Sequence, residues 1–375
     1  MRICLDYRSA LSQGTGVGTY VRNLLAALAS GCPDDTVTAF CASWRDRPPE
    51  SLGSENVVVS DHRIPVRVLD RLWHRWNWPP VEYFVGAQDI AHSPYPMLLP
   101  ARSARQVISV HDCYFLRNPE SVYGTVLRDY VPLAKAAARK ADAILVPSES
   151  TAAEAKELLE ADSGKIHVIP LGVDSIFLDR KELDEKVARQ IRDHYALGPH
   201  YLLFVGRREE RKNLGALLQA VAEMATAGDD VSLVIAGPEA PGWEDVWSGA
   251  PEVARQRTRL VPHVPIDQLV YLYAGASALV MPSVWEGFGF PALEAMAMGT
   301  PVVASRAGSL PEILGDAALW ADPDDPGTFV EACRLLLRDD VIALEYGQRG
   351  PLQAGLYPWE RTAELTRSVY RQLVS

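Results

Sequence analysis

Strand-length apolar segments alternate with amphipathic helical segments along this chain of 375 residues, and this alternation restricts the fold more than any other feature. Residues 2–7 alternate in polarity as a strand does, and apolar residues recur at helical spacing across residues 20–28. Further strand-like runs in the first half are residues 37–41, 57–59, 106–110 and 143–146. Strands separated by helices predict a parallel sheet covered by helices on both faces, and therefore an α/β fold.

The pattern begins again with a run typical of a buried strand at residues 201–205. It continues through strand-like runs at residues 231–236, 278–281 and 302–304. We therefore predict two Rossmann-like, doubly wound domains that face a central cleft. The N-terminal domain is expected to span residues 1–172 and to be joined by a C-terminal helix of about residues 357–375. The C-terminal domain is expected to span residues 173–356.

The composition excludes several classes of protein. Hydrophobic residues make up 48% and charged residues 23%, which suits two folded cores and excludes a disordered chain. The net charge of −11 argues against a nucleic-acid partner. The five cysteines are scattered and form no C-x-x-C pair, so we expect a protein of the reducing cytoplasm without disulfides or a zinc site. No apolar run reaches the ~18 residues of a membrane-spanning helix, and Asp6 interrupts the first apolar stretch, so we expect no secretion signal.

The densest cluster of chemically informative residues runs from Glu286 to Glu294 and follows the predicted strand 278–281. A helix that starts directly after this loop would offer backbone N–H groups to an anion. The two glutamates are eight residues apart and could bracket a ligand across Gly287 and Gly289, which carry no side chains. Taken singly, Glu294 could instead only complement the helix dipole, and Glu286 could be a solvated turn residue.

Charged and imidazole side chains follow other predicted strands. Residues 207–212 are mostly charged, and taken alone they are typical of a solvated turn. His111 ends the run 106–110, at the sheet edge where ligands bind, and His92 is a second candidate for the cleft. The glycine-rich loop 14–18 lies between a predicted strand and a predicted helix, where phosphates bind.

Several of these segments resemble family 4 of the glycosyltransferases, retaining enzymes of the GT-B fold. Residues 285–298 are similar to the E-x7-E block of that family, and the resemblance extends over nearly the whole chain. Within the family, the sequence looks like the bacterial mannosyltransferase-like branch of polysaccharide assembly. The other similar segments are residues 14–18, 111–112, 169–174, 205–207, 211–213, 271–276, 299–305, 309–312 and 315–317.

The resemblance implies roles for individual residues. The residues implied in catalysis are Glu286, His111, Arg207 and Lys212. The residues implied in donor binding are Glu294, which would bind the ribose, and Gly16, Phe288, Gly289, Phe290, Arg211 and Val264. Arg207, Arg208 and Arg211 are so close in sequence that the resemblance leaves open which of them contacts the diphosphate.

The implied function is the transfer of a hexose, best assigned as mannose, in bacterial polysaccharide or glycolipid assembly. The donor would be a nucleotide diphosphate sugar, with GDP-mannose favoured over a UDP-hexose, and the acceptor a sugar or a lipid-linked sugar. The resemblance implies retention by a front-face mechanism, no metal and no cofactor, with the acceptor on the N-terminal domain and the donor on the C-terminal domain. The alternatives are another GT-B-shaped enzyme, such as a sugar-nucleotide epimerase or a phosphorylase, and a catalytically silent sugar-nucleotide-binding protein.

The segment 66–78 predicts an amphipathic helix with two competing interpretations. Arginines recur every fourth residue from Arg63 to Arg75, beside Trp73 and Trp76. Such a basic ridge with tryptophans suits peripheral contact with the inner membrane face, where lipid-linked acceptors reside. The competing and favoured interpretation is a surface helix whose tryptophans pack inward on their own domain.

Overall fold

The structure is a computed structural model that describes residues 1–11, 14–118, 124–179 and 183–375. The chain forms two compact units. Unit 1 comprises Met1–Gly172 and Trp359–Ser375, and unit 2 comprises Val173–Pro358.

Unit 1 contains, within the described ranges, a parallel sheet of seven strands in the order β3-β2-β1-β4-β5-β6-β7. Its strands are β1 (Arg2–Asp6), β2 (Thr36–Ala42), β3 (Val57–His62), β4 (Ile90–Ser93), β5 (Arg105–Ser109), β6 (Ala143–Val146) and β7 (Ile166–Val168). Its first helices are α1 (Gly16–Gly31), α2 (Val66–Trp76), α3 (Glu82–Val85), α4 (Tyr114–Arg117), α5 (Gly124–Lys140) and α6 (Glu149–Leu158). Short 3-10 helices occur at Arg8–Leu11 and Ser163–Lys165.

Unit 2 contains, in its described part, a parallel sheet of six strands in the order β10-β9-β8-β11-β12-β13. The strands are β8 (Tyr201–Val205), β9 (Ser232–Ala236), β10 (Thr258–Val261), β11 (Ala278–Met281), β12 (Val302–Ser305) and β13 (Ala318–Ala321). The helices are α7 (Ser175–Leu178), α8 (Glu185–His194), α9 (Leu214–Thr226), α10 (Trp243–Gly249), α11 (Glu252–Gln256), α12 (Ile266–Gly275), α13 (Phe290–Ala297), α14 (Leu310–Leu314), α15 (Pro326–Arg338) and α16 (Asp340–Ala354). Short 3-10 helices occur at Glu210–Lys212 and Gly315–Ala317.

The prediction of two Rossmann-like α/β units is confirmed by these sheets. Both are parallel, and their central strands are buried because helices cover both faces. The predicted runs at 143–146, 201–205 and 278–281 coincide with β6, β8 and β11. Each sheet also changes winding direction at one point, between β1 and β4 in unit 1 and between β8 and β11 in unit 2.

The last helix, α17 (Trp359–Val374), belongs to unit 1 although it follows unit 2 in sequence. Arg367 binds the Asp35 carboxylate at 2.5 Å, and the Tyr370 hydroxyl lies 2.6 Å from Nδ1 of His92. At the start of the helix, Trp359 packs directly on Gly172, the residue at which the chain leaves unit 1. Polar contacts at one end and close packing at the other therefore fix α17 on its unit.

We predict that Gly172→Ala lowers the free energy of unfolding of the protein. A Cβ atom at this position would lie 2.5 Å from Cγ of Trp359, and overpacking of this kind costs ~1–3 kcal/mol. Urea denaturation followed by circular dichroism measures the change. The control is Gly31→Ala at the end of α1, where a Cβ meets nothing within 4 Å, so its stability should be unchanged or slightly increased. Equal stability of the two variants would contradict the packing argument.

Candidate functional site

The candidate site of unit 2 lies where two neighbouring strands send their connections in opposite directions. Strands β8 and β11 pair at the centre of the sheet, with β9 on the far side of β8 and β12 on the far side of β11. In a doubly wound sheet, the carboxyl ends of two such strands leave a crevice that binds ligands. Residues 206–213 follow β8 and residues 282–289 follow β11. The predicted cations and the predicted glutamates therefore meet at this edge.

Glu286 is the centre of a buried cluster of charges. Its Oε1 accepts hydrogen bonds from Nζ of Lys212 and Oγ of Ser283, both at 2.6 Å, and its Oε2 accepts one from Arg211 at 3.0 Å. Arg211 also donates to the Trp285 carbonyl at 3.0 Å. Burial alone would raise the pKa of Glu286, but the two cations and the hydrogen bonds lower it to about 2. Glu286 is therefore ionised at physiological pH and is a weak base.

The three clustered arginines have different environments. The Arg211 side chain is bound to Glu286, as described above. Arg208 is buried, and its guanidinium lies 5.2 Å from the ring centre of Trp243. Arg207 is exposed, directly after β8. Of the three, Arg207 is thus the side chain that the fold leaves accessible at the edge of the sheet.

The loop that carries Glu286 is fixed by its backbone as well. Ser309 donates to the Glu286 carbonyl twice, from its backbone nitrogen at 2.9 Å and from its hydroxyl at 3.0 Å. Gly289 precedes α13 in the left-handed region with a φ of 101°, and a Cβ there would lie 2.7 Å from Cδ2 of Leu310. Only glycine fits this position, so the entry into α13 has one conformation.

Glu294 lies in α13 and has an electrostatic environment opposite to that of Glu286. The Tyr273 hydroxyl of α12 donates to its Oε2 at 2.7 Å. Burial raises the pKa of Glu294 to about 7, Asp174 adds to the rise, and the Tyr273 hydrogen bond opposes it. Glu294 therefore titrates near neutral pH, well above an ordinary glutamate. A strongly perturbed carboxyl beside a ligand-binding edge is typical of a functional site.

His111 is the predicted site residue of unit 1 and follows β5. The Tyr20 ring packs edge-on against the imidazole at 4.7 Å. A hydrogen bond to the Pro94 backbone engages the ring, while Nε2 has no partner among the described residues. Burial lowers the pKa of His111 to about 4, with Asp112 opposing this shift. The imidazole is therefore neutral, and its buried Nε2 is a hydrogen-bonding atom without a protein partner in the described ranges.

The prediction that His92 lines a cleft is wrong. His92 is the third residue of β4 and is fully buried. Both ring nitrogens are engaged, Nδ1 with the Tyr370 hydroxyl at 2.6 Å and Nε2 with the Ser109 hydroxyl at 2.8 Å. Burial lowers the pKa of His92 to about 3, which keeps the ring neutral inside the sheet. Its role is to join β4 to β5 and to the last helix.

The remaining predicted donor residues are divided between the two units. Gly16 is the first residue of α1 in unit 1. Phe288 is buried in unit 2 and packs against Phe290 with ring centres 5.5 Å apart. Val264 is half-buried in the connection between β10 and α12. These positions remain predictions, since none of them is distinguished by a polar side chain.

The sequence analysis assigns no function to two residues that contact the glutamates of the site. Ser283 and Tyr273 each donate a hydrogen bond to one of the two glutamates. The signal for Ser283 is its place three residues before Glu286, directly after β11. Tyr273 gives no comparable signal, because it is 21 residues from Glu294 and on a different helix.

Helix α2 agrees in part with each of the two interpretations of the segment 66–78. Leu69 and Trp73 are buried, and Nε1 of Trp73 donates to the Pro79 carbonyl at 2.9 Å. Trp76 is 59% exposed, so the inward packing expected of both tryptophans holds for only one of them. The arginines of the ridge are all exposed at Arg63, Arg67, Arg71 and Arg75.

The described ranges lack two further structural features. These ranges contain no helix of sufficient length and apolarity to span a bilayer. They also contain no group of three or more His, Cys, Asp or Glu side chains placed to hold a metal ion.

Two family models match the chain, one in its first half and one in its second half. Residues 14–176 match the model described as Glycosyltransferase Family 4, and residues 199–339 match the one described as Glycosyl transferases group 1. Among curated proteins, the O-antigen chain mannosyltransferase B of Escherichia coli is 31% identical over 377 residues. The match covers 96% of this chain and 96% of that protein.

Solved structures of low sequence identity share the fold over nearly the whole chain. Sucrose-phosphate synthase from Thermosynechococcus elongatus has a TM-score of 0.77 at 22% identity and covers 100% of this chain and 99% of its own. HepE from Anabaena, solved in complex with UDP and glucose, has a TM-score of 0.68 at 16% identity and covers 99% of this chain and 100% of its own.

We predict that Glu294→Gln raises the free energy of unfolding at pH 8 and changes it little at pH 4.5. The folded-state pKa of about 7 lies above the ordinary value of 4.5, so folding favours the protonated acid and penalises the carboxylate. Stability is therefore lost as the pH rises through this window, at up to ~1.4 kcal/mol per pKa unit and at less for the half-buried Glu294. Glutamine avoids this loss, and we expect a gain of about 1–3 kcal/mol at pH 8.

Urea denaturation at both pH values measures this effect. The control is Glu286→Gln, which should lower stability at pH 8, because the pKa of Glu286 is lowered to about 2 by cations that the variant leaves without a counter-charge. A Glu294→Gln variant that changes stability equally at both pH values would show that the Glu294 pKa is not raised.

Proposed function

The chain belongs to glycosyltransferase family 4, and we propose that it transfers a hexose from a nucleotide diphosphate sugar to an acceptor hydroxyl with retention of configuration. It is a glycosyltransferase of the GT-B fold. The observation that carries the proposal is the pair of glutamates, one in the loop before α13 and one within that helix. Glu286 is ionised and held by cations, whereas Glu294 has an elevated pKa and an Oε1 atom without a hydrogen-bond partner among the described residues.

The donor is proposed to bind along the edge formed by β8 and β11. Glu294 would accept hydrogen bonds from the ribose hydroxyls, and backbone N–H groups at residues 288–290 would hold sugar hydroxyls and phosphate oxygens. Lys212 and the exposed Arg207 would bind the diphosphate, whose negative charge grows as it leaves. Arg211 is proposed to orient Glu286 instead, because its guanidinium already donates hydrogen bonds to three acceptors within the protein.

The proposed chemistry is a front-face reaction in which the leaving phosphate deprotonates the acceptor. Glu286 suits the orientation of the donor sugar better than proton transfer, because its pKa of about 2 makes it a weak base. The neutral His111, whose Nε2 has no protein partner in the described ranges, would exchange a hydrogen bond with a sugar hydroxyl. In this proposal unit 2 holds the donor and unit 1 the acceptor.

The proposed sugar is mannose, from GDP-mannose, for the assembly of a bacterial polysaccharide or glycolipid. It is supported by the relative of similar length whose name is O-antigen chain mannosyltransferase B. A UDP-hexose is the alternative donor, supported by the HepE structure in complex with UDP and glucose.

The proposal is tested by incubating the protein with GDP-mannose or UDP-glucose and a mannoside acceptor and determining the anomeric configuration of the product by NMR. Lys212→Ala should lower kcat by ~10²–10³, because a preorganised cation opposite the leaving diphosphate acts mainly in the transition state. The control is Arg259→Ala, at an exposed cation of β10 away from the β8–β11 edge. Normal kcat for Lys212→Ala would remove it from the diphosphate site, and an inverted product would overturn retention.

We further propose that the acceptor is met at a membrane, through exposed aromatic and basic residues around α2. Trp76 is 59% exposed, Trp78 is 56% exposed and Tyr83 is 75% exposed. Such side chains favour the interface between water and lipid, and each arginine near an anionic surface contributes ~1 kcal/mol. We call this set the α2 surface: Arg63, Arg67, Arg71, Arg75, Trp76, Trp78 and Tyr83.

The acidic residues of the same segment do not neutralise these arginines. Asp70 accepts a hydrogen bond from Arg8 at 2.7 Å. Glu82 accepts hydrogen bonds from the backbone nitrogens of Arg102 and Ser103, at 2.8 and 2.9 Å. With four arginines against these two carboxylates, the α2 surface is net positive although the whole chain is acidic.

We predict that the protein co-sediments with phosphatidylglycerol vesicles at low salt and is released at high salt, because salt screens the attraction. Arg67→Glu with Arg71→Glu should abolish sedimentation and leave donor hydrolysis intact. The control is Arg189→Glu with Arg192→Glu on α8 in unit 2, which makes the same change of charge on exposed residues. Equal loss of binding in both double variants would indicate net charge rather than a docking surface, and wild-type protein in the supernatant at all salt concentrations would overturn the membrane contact.

A further inference from the structure

We propose that Tyr273 is a positioning residue for ribose recognition, since it binds one carboxylate oxygen of Glu294 and leaves the other for the donor. The inference rests on the proposed function, in which Glu294 is the ribose-binding residue. The Tyr273 hydroxyl donates to Oε2 of Glu294 at 2.7 Å, whereas Oε1 has no hydrogen-bond partner among the described residues.

The phenol ring of Tyr273 is fixed from several directions. The side chain is fully buried, and the Phe177 ring packs edge-on against it with centres 5.7 Å apart. Its carbonyl accepts a hydrogen bond from the Thr300 hydroxyl at 2.6 Å, which secures this turn of α12. A buried phenol that keeps its proton is an obligatory donor, and burial raises its pKa well above the ordinary value. The orientation of Glu294 is therefore imposed by a rigid partner.

Ribose presents two neighbouring hydroxyl groups, which bind best to an ionised carboxylate. The Tyr273 hydrogen bond favours that ionised form, while burial and Asp174 oppose it. Besides α12, helix α13 packs against α7, α16, β11 and β12. Apart from Asp174, no charged group on these elements shifts the Glu294 pKa within the described residues. Tyr273 thus acts on the ribose in two ways, by fixing the carboxylate and by keeping it ionised at lower pH.

The expected effect of Tyr273→Phe follows from both actions. Removal of the hydroxyl raises the pKa of Glu294 and releases its side chain, so donor affinity at pH 7 should fall roughly tenfold, the scale of a hydrogen bond to a charged group. In the wild type, donor affinity should rise with pH through about 7, the pKa of Glu294. In Tyr273→Phe this midpoint should move to higher pH, so part of the loss should be recovered at pH 9.

Calorimetry with GDP-mannose and with UDP-glucose between pH 6 and pH 9 tests this expectation. Both probes carry a diphosphate esterified at each end, which does not titrate in this range. The matched control is Tyr201→Phe, because the buried Tyr201 hydroxyl also makes a 2.7 Å hydrogen bond to α12, at the Leu272 carbonyl next to Tyr273. Tyr201→Phe should cost similar stability and leave both the affinity and its pH midpoint unchanged. Equal shifts of affinity and midpoint in both variants would overturn the inference.

A measurement without donor separates this inference from the proposed function. Carbon-13 NMR of carboxyl-labelled glutamate follows the titration of Glu294, whose signal is identified by its absence in Glu294→Gln. The titration midpoint should rise in Tyr273→Phe and stay in place in Tyr201→Phe. An unchanged midpoint in Tyr273→Phe would overturn the role of Tyr273 even if donor binds. A wild-type protein that binds neither nucleotide sugar would overturn the proposed function, and the donor-free titration would still decide whether Tyr273 controls Glu294.

Discussion

The ion pair between Lys212 and Glu286 joins the two connections that form the edge of unit 2. One residue follows β8 and the other follows β11, 74 positions apart in the chain, and their charged atoms are 2.6 Å apart. Arg211 and its partner Glu209 complete the cluster, with 2.7 Å between their charged atoms. The cluster therefore contains two cations and two carboxylates and is balanced before any ligand arrives. A diphosphate adds negative charge to it, which gives the exposed Arg207 its place in the proposed donor site.

The two glutamates of the E-x7-E block are physically unlike. Glu286 has its charge compensated by the protein, and its pKa is lowered to about 2. Glu294 is half-buried, and desolvation together with the nearby Asp174 carboxylate raises its pKa to about 7 against the opposing Tyr273 hydrogen bond. The first arrangement fixes a side chain in one orientation, whereas the second keeps an ionised carboxylate unfavourable until a ligand supplies hydrogen bonds. An environment of this kind is assembled from several elements, so the spacing of the two residues does not reveal it.

Strands that are fully buried are predicted from the sequence more accurately than strands that are partly exposed. Central strands such as β6, β8 and β11 are continuous apolar runs and were predictable from the pattern alone. Strands β7, β10 and β13 lie at sheet edges, are only three or four residues long and each contain partly buried residues, so they escape the same criterion. In β4 the buried polar residues His92 and Ser93 interrupt the apolar pattern, which made His92 resemble a cleft residue. The switch point predicts that Lys212 and Glu286 approach each other, but the roles of Arg211 and Tyr273 depend on hydrogen bonds that only the folded chain defines.

The close packing of Gly172 on Trp359 has a consequence for how the gene can be rearranged. The same place in unit 2 is closed by a hydrogen bond from the Val173 nitrogen to the Tyr357 carbonyl, at 2.8 Å. Unit 2 is thus one continuous segment whose two ends lie next to each other. It is inserted into the sequence of unit 1 after the last strand of the unit 1 sheet. Exchange of this one continuous gene segment between relatives would replace the whole β8–β11 edge at once and keep α17 on its own unit. Exchange of the whole unit requires no more than two neighbouring junctions.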